Sequence, residues 1–472
     1  MLKKLISVTL VSTLSAMLFV GCGSTEQTAE PSKTPDVVSS ETAASEETKL
    51  VEEGMPKDTK LTIRTIFTAH ELDGVNSENE AVYADFYDLW TNAEVVEESG
   101  GTALVAKIAA GDAPHLIRFT PANNLARYVD AGVLMPIDDL LAESEYYDPE
   151  DLFTKVVDIN RYDGTTLGKG ALYGLPLDWS TNTIYVKPDV LDAAGVRVPS
   201  VEEPWTYAEF HEAIEKMSVM EDGEVSCFGL YDSTGIGTCS SVNSIIRELN
   251  ANGLSLWSDD YTKVTFTENP EAMDIIKNWC DHYISGRAPS SIYQGDGWSG
   301  FRDPESDLFA MEISGLYRMN GHYNKLGDSF TMVPLPVTED GYAYTELSPT
   351  SGYISTSAEE IIEPVWDLYE MIFLGKMAEM RASSGKNLPI KKSYAELAVF
   401  DNETKAQIYE CAEKMADTYE MYNVVSPYNQ NGQISTFCKY LEEVCTGARE
   451  FEEAMGKAAS EMQVLIDEAI AF

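Results

Sequence analysis

The side chains most able to do chemistry in this chain are acidic: 78 Asp and Glu stand against 33 Lys and Arg, a formal charge of −45. Two carboxylates on facing walls, about 5–10 Å apart, can hydrolyse a glycosidic bond. Asp178 and Asp232 are the pair that loop context nominates for it. Other chemistries lack their residues. The five histidines are scattered without metal-ligand spacing, and no HExxH, GxSxG or CxxC is present. Asp158-Ile-Asn160-Arg-Tyr-Asp163-Gly164 begins like a calcium loop but puts Asp where the turn needs Gly. Gly164-Thr-Thr-Leu-Gly168-Lys169-Gly170 approaches a phosphate-binding loop. It is one residue short and ends in Gly where a magnesium-binding hydroxyl is required. No cofactor and no metal are expected. The acidic field repels nucleic acid and anionic membranes and fits a solvated surface.

Strands and helices in alternation must position whatever site exists. Lys60 to Phe67 alternates and is rich in β-formers, which predicts a first strand. Val82, Phe86, Leu89 and Trp90 recur at helical spacing, and a second helix is predicted from Thr102 to Ala110, stopped by Gly111. His115 to Phe119 reads as a short apolar strand, after which Pro121 opens a helix. Tyr173 to Val186, Val225 to Tyr231 and Phe330 to Val337 continue the strand series. The C-terminal quarter is helical, with Val365, Leu368, Tyr369 and Ile372 on one face and Phe451, Met455, Ala458, Met462, Leu465, Ile466 and Ala469 on another. Strand–helix alternation argues for α/β layers joined by crossovers.

The chain ends and the cysteines say where such a body works. Lys3 and Lys4, the apolar run Leu5 to Val20 and the sequel Gly21-Cys22 have the order of a secretory signal peptide over residues 1–21. The apolar run is shorter than the roughly 20 residues that cross a bilayer. Leu18-Phe19-Val20-Gly21-Cys22 resembles a bacterial lipobox, with Phe19 where Leu is usual, so Cys22 is expected to be lipidated. Residues 22–58 are Ser, Thr, Glu, Pro and Ala with few large apolar side chains, which predicts a flexible tether. The expected location is the extracellular face of the cytoplasmic membrane. Six further cysteines permit disulfides, but free thiols are favoured. Cys438 and Cys445 on one helix lie about 10 Å apart, too far to bond each other. The remaining body of about 415 residues exceeds one compact core and implies two domains.

Several stretches, in order, resemble the family 1 extracellular solute-binding proteins, the group that includes maltodextrin-binding protein. They are Ile108-Ala-Ala-Gly-Asp-Ala-Pro114, Tyr128-Val-Asp-Ala-Gly132 through Asp138, Tyr173-Gly-Leu-Pro176, Ile184-Tyr185-Val-Lys187-Pro-Asp189 and Pro204-Trp205-Thr206. Ala310-Met311 through Gly315, Val333-Pro-Leu-Pro336, Gly352-Tyr-Ile-Ser, the 363–373 helix, Leu388-Pro389 and the last helix complete the series. His115 replaces a usual Asp, and the Gly-Lys usual before Ala310 is missing. The resemblance implies an α/β, two-lobed periplasmic-binding-protein-like fold with a hinge and a helical C-terminal region. Lobe 1 would comprise residues 59–178 plus 345–390, and lobe 2 residues 181–340 plus 394–472. Crossings are expected near Leu177–Ser180, Val337–Ser351 and Ser384–Ser393.

It further implies a monomer that is not an enzyme. The protein would capture a sugar or oligosaccharide between its lobes and deliver it to ABC permease subunits, touching the membrane only through its lipid. A binding protein for another polar solute and a cell-surface hydrolase using Asp178 and Asp232 are the alternatives. A sugar needs flat apolar surfaces for its C–H faces and a few polar groups for its hydroxyls. Trp90, Trp279 and Trp366 fall on helix faces and Trp205 at a helix start; Trp257 has no assignment. Trp179 and Trp298 stay in loop contexts, beside Asp178 and Asp296. Trp179 falls at the first expected crossing, where the family places ligand residues. Phe119 and Tyr317 match family positions that hold stacking aromatics, and Tyr231-Asp232 resembles a polar ligand loop. The expected ligand-binding set is therefore Phe119, Asp178, Trp179, Tyr231, Asp232, Trp298 and Tyr317, with Asn320, His70 and Tyr428 as lesser candidates.

Overall fold

Alternation along Leu61–Thr65 buries Leu61 and Ile63 and leaves Thr62 exposed, and this strand, β1, lies inside the first of two main sheets. The computed structural model describes residues 54–67, 83–232, 242–289, 301–303, 308–347, 349–422, 426, 428 and 430–471. His70, Trp298, Cys22, Cys239 and residues 1–53 lie outside the described residues. The other strands are β2 (Ala93–Glu97), β3 (Leu116–Phe119), β4 (Arg161–Tyr162), β5 (Ala171–Leu172), β6 (Gly174–Asp178), β7 (Asn182–Val186), β8 (Val219–Glu221), β9 (Glu224–Cys227), β10 (Tyr231–Asp232), β11 (Met311–Gly315), β12 (Thr331–Val333), β13 (Tyr344–Glu346), β14 (Thr350–Ile354) and β15 (Glu420–Tyr422). The first sheet has the order β2-β1-β3-β14-β6 and the second β10-β11-β7-β12. In the first, β1 runs parallel to β2 and β3, and β14 antiparallel to β3 and β6. In the second, β10 and β11 are parallel, and β7 is antiparallel to β11 and β12.

The helices that cover these sheets and frame the site are α1 (Ala84–Leu89), α2 (Thr102–Ala109), α3 (Pro121–Asp130), α4 (Tyr207–Met217), α5 (Val242–Ala251), α6 (Pro270–Ile284), α7 (Met319–Leu326), α8 (Ile362–Phe373), α9 (Lys376–Ser383), α10 (Glu403–Thr418), α11 (Gln430–Cys445) and α12 (Phe451–Ala471). Their starts follow local chemistry. Thr206 and Glu209 form a capping box at α4, with reciprocal bonds of 3.2 and 2.9 Å. Asn269 caps α6 with Pro270 at its first position, and Pro121 opens α3.

Two large clusters of buried apolar side chains pack the sheets, and the first reaches across to Tyr185 of β7 and Met332 of β12. Beside the first sheet lie Phe67, Phe86, Trp90, Leu175, Leu368 and Phe373; beside the second, Ile184, Ile313, Phe210, Trp279, Phe437 and Met455. Helices α11 and α12 bury Leu441, Ala458, Met462 and Ile466 against the second core, as the C-terminal periodicity predicts. Two differences from the sequence reading stand out. Leu89, read as a core position, is 38% exposed because α1 ends there. Ala93–Glu97 forms an unpredicted edge strand; its two acids hide the pattern, and only Val95 is buried. The described cysteines Cys227, Cys280, Cys411, Cys438 and Cys445 are unbridged.

Glycine is required where β14 meets the helix layer. A Cβ on Gly352 would collide with the ring of Phe373 and approach that of Phe67. The hydrogen lets β14 pass under this edge-to-face pair, whose centroids are 5.7 Å apart.

Candidate functional site

Ligands of α/β sheets bind where the carboxyl ends of parallel strands meet a change of direction. Here β3 ends at Phe119 and β6 at Asp178. Trp179, Ser180 and Thr181 then carry the chain into the second sheet at Asn182, beside the end of β11 at Gly315. The ends of both sheets therefore adjoin one short connection. Trp179 exchanges two backbone hydrogen bonds of 2.9 Å with Leu388, and Thr181 bridges Leu347, so three chain segments run together here. Ser180 Oγ accepts the Leu316 N–H at 2.8 Å and clips the connection to the turn after β11. Gly315 has no Cβ because Ser180 Oγ and the Tyr317 ring occupy that space.

The aromatic candidates divide. Phe119 is half-buried, its ring stacked on Tyr353 at 3.9 Å and 7° and edge-on to Tyr128 at 5.2 Å. Tyr317, directly after β11, is 44% exposed, with the Arg318 guanidinium 5.4 Å from its ring. Tyr231 is half-buried against Phe309 at 5.3 Å. Trp179 corrects the expectation. It is 1% exposed, its indole N–H is donated to the Pro389 carbonyl at 2.8 Å, and Phe153 packs edge-on at 5.3 Å. It is a core residue holding two crossing segments together, with no free face for a ligand. Asn320 and Tyr428 are half-buried, and the Tyr428 carbonyl is bonded by Gln433.

The acid candidates are tied to separate networks. Asp178 accepts from Asn387 Nδ2 at 3.1 Å and lines a cavity of about 10 Å³ with Arg381, Asn387 and Tyr394. That cavity has room for about one water and for no sugar, and Asp178 is otherwise half-buried. Burial pushes its carboxyl above the usual range, against the opposing pull of Arg381 and Asn387. Asp232 is 2% exposed and accepts the Ser244 hydroxyl at 2.5 Å. Ser244 is joined in turn to the buried Arg247 on the next turn of α5. The two carboxylates proposed as a hydrolytic pair thus each serve a local network.

Sequence reasoning missed a second buried set. Glu312 on β11 and His322 on α7 are both 0% exposed and 3.2 Å apart, ringed by Tyr185, Phe301 and Phe330. The visible signal was a lone Glu within an otherwise uncharged strand. Elsewhere, a depression of about 500 Å³ lies beyond the far end of β7, lined by Lys187, Asp189, Lys216, Met217 and Cys227. Among the described residues no group of three His, Cys, Asp or Glu is placed to hold a metal. Nor is any described helix long and apolar enough to cross a membrane.

Residues 91–407, more than half of the chain, match the family described as bacterial extracellular solute-binding protein. No curated protein sequence matches. An ABC substrate-binding protein from Listeria monocytogenes, solved in complex with cycloalternan, has a TM-score of 0.70 at 17% identity, over 88% of this chain and 100% of that one. A solute-binding protein from Thermotoga lettingae bound with α-D-tagatose has a TM-score of 0.65 at 19% identity, over 86% and 100%. The GacH receptor of Streptomyces glaucescens, solved unliganded and with acarbose, gives 0.65 at 18%, over 87% and 99%. The fold is that of the two-lobed periplasmic binding proteins. With that fold and with residues 91–407 matched, the chain belongs to the bacterial extracellular solute-binding proteins.

Proposed function

We propose that the protein captures a sugar or oligosaccharide between its two lobes and delivers it to an ABC permease, held at the outer face of the membrane by a lipid on Cys22. The observation that carries the reading is the placement of aromatic surface at strand ends of both sheets. The half-buried Phe119 closes β3, backed by the buried Tyr353 of β14, and the exposed Tyr317 lies directly after β11. Flat rings of this kind pair with the C–H faces of a pyranose, whose hydroxyls need polar partners beside them. The ligands of the similar structures, cycloalternan, α-D-tagatose and acarbose, supply the class to test.

Capture rather than hydrolysis is supported by the separate engagement of Asp178 and Asp232, each held by a partner of its own lobe. Calorimetric titration with cycloalternan, tagatose, acarbose, mannobiose and mannotriose tests the reading. At least one is expected to bind at micromolar concentration or better, with no new product after hours of incubation. Absence of binding across the panel, or turnover abolished by Asp232→Asn, would overturn it.

A further inference from the structure

A member of an extracellular family works where thiols can be oxidised to disulfides. Of the six cysteines beyond Cys22, the fold brings one pair together. Cys280 lies on α6, and Cys445 is the last residue of α11. The two helices pack against each other, and both cysteines belong to the apolar cluster that holds Ile276, Phe437 and Leu441. There the two thiols lie within hydrogen-bonding reach of one another. Cys438 is two turns earlier on α11, about 10 Å from Cys445 along the axis, too far to compete for it.

The two sulfurs differ in access. Cys280 is 2% exposed, whereas Cys445 is half-buried and residues 446–448 just beyond it are exposed. The hydrogen bond to Cys445 first, then burial, push the Cys280 thiol above the ordinary range. An oxidant from solvent therefore meets Cys445 first, and Cys280 waits behind it.

We propose that Cys280 and Cys445 form an oxidation site, which a disulfide-bearing oxidant converts into a bridge stapling α11 to α6. The Cys445 thiolate attacks one sulfur of the oxidant, whose S–S bond breaks and expels one thiolate. Cys280 then attacks the Cys445 sulfur of the mixed disulfide. The new S–S bond closes, and the second half of the oxidant leaves with the Cys280 proton. The Cys445 proton ends on the thiolate expelled first. Two electrons have passed to the oxidant, whose disulfide becomes two thiols. The closed loop takes in β11 to β15 and α7 to α11. Such a closure removes freedom from the unfolded chain, and more of it for a long loop. Because it joins helices already in contact, the folded chain has little to rearrange. The staple rests on the thiol contact and on export, and is independent of the ligand.

The full chain, reduced and then incubated with hydroxyethyl disulfide, tests the site; this small neutral disulfide is not repelled by the acidic surface. After unfolding and alkylation, trypsin cuts at Lys439, so Cys438 and Cys445 fall on different peptides. The expected product is one linked pair, residues 278–287 joined to 440–449, with Cys227, Cys411 and Cys438 alkylated. Tm should rise by about 5 °C on oxidation and return on reduction. Cys445→Ser should abolish both the link and the Tm response; Cys280→Ser is the second variant if the first does not fold. A mixed disulfide that stays on Cys445, a bridge from either cysteine to any other, or thiols that all remain alkylatable overturns the proposal. So does a linked pair with no rise in Tm.

Discussion

Replacing Trp179 by Ala separates a ligand platform from a structural pin, and the geometry commits to the pin. The indole is 1% exposed, so truncation removes nearly all of a large buried side chain and leaves a cavity beside Phe153. Such truncations cost about 3–5 kcal/mol. The Pro389 carbonyl also loses its 2.8 Å partner, and an acceptor stranded in a buried site costs about 1–3 kcal/mol more unless water reaches it. Trp179→Phe isolates that second contribution, since the ring remains and only the N–H is lost. Urea denaturation of the unliganded protein is the assay. The expected order is parent above Trp179→Phe above Trp179→Ala, with the last about 4 kcal/mol or more below the parent. Sugar affinity of whatever fraction stays folded should fall much less. A Trp179→Ala protein of parental stability that no longer binds any sugar would refute the reasoning and restore the indole as a stacking surface.

Tyr317→Ala should do the opposite, leaving stability within about 0.5 kcal/mol and weakening sugar binding roughly thirtyfold, about 2 kcal/mol, by titration calorimetry. Asp178→Asn should raise stability at pH 7. Burial holds the folded carboxyl above its ordinary value of 3.8, so its ionisation opposes folding at higher pH, and the gain should vanish as pH falls towards 4 in parallel melts. Cys22→Ala should release the protein from membranes or leave it unprocessed, read by fractionation; unchanged membrane association would rule out the lipid anchor.

What could be read from the sequence was local. The alternation of Leu61–Thr65, the capping residues Thr206 and Asn269, and the apolar faces of α8 and α12 act over a few residues. The first strand and the last helices were therefore legible. The ordered family resemblance added the two-lobed architecture. Trp179 was misread because its core partner is the carbonyl of Pro389, 210 positions away, and no periodicity around the tryptophan announces it. The partner of Asp178 was hidden for the same reason, since Asn387 lies 209 positions on. The Cys280–Cys445 contact escaped because its members sit on two helices far apart in the chain, and the neighbours of neither cysteine announce the other.

The place of β14 in the first sheet bears on the order in which the molecule can be made. It pairs with both β3 and β6, and Ser355, just past its end, bonds the carbonyl of Pro114, 241 residues upstream. A chain that emerges from its amino end offers β1, β2 and β3 long before their neighbour exists. During that interval β3 shows an unpaired edge of the kind that recruits foreign strands. Contacts this distant in sequence also slow folding. The first sheet, whose leading strands are made first, is thus completed only after every strand of the second sheet has emerged. Helpers that shield nascent strands should matter most for the amino-terminal third, and truncations that stop before Thr350 should aggregate rather than yield a free-standing first sheet.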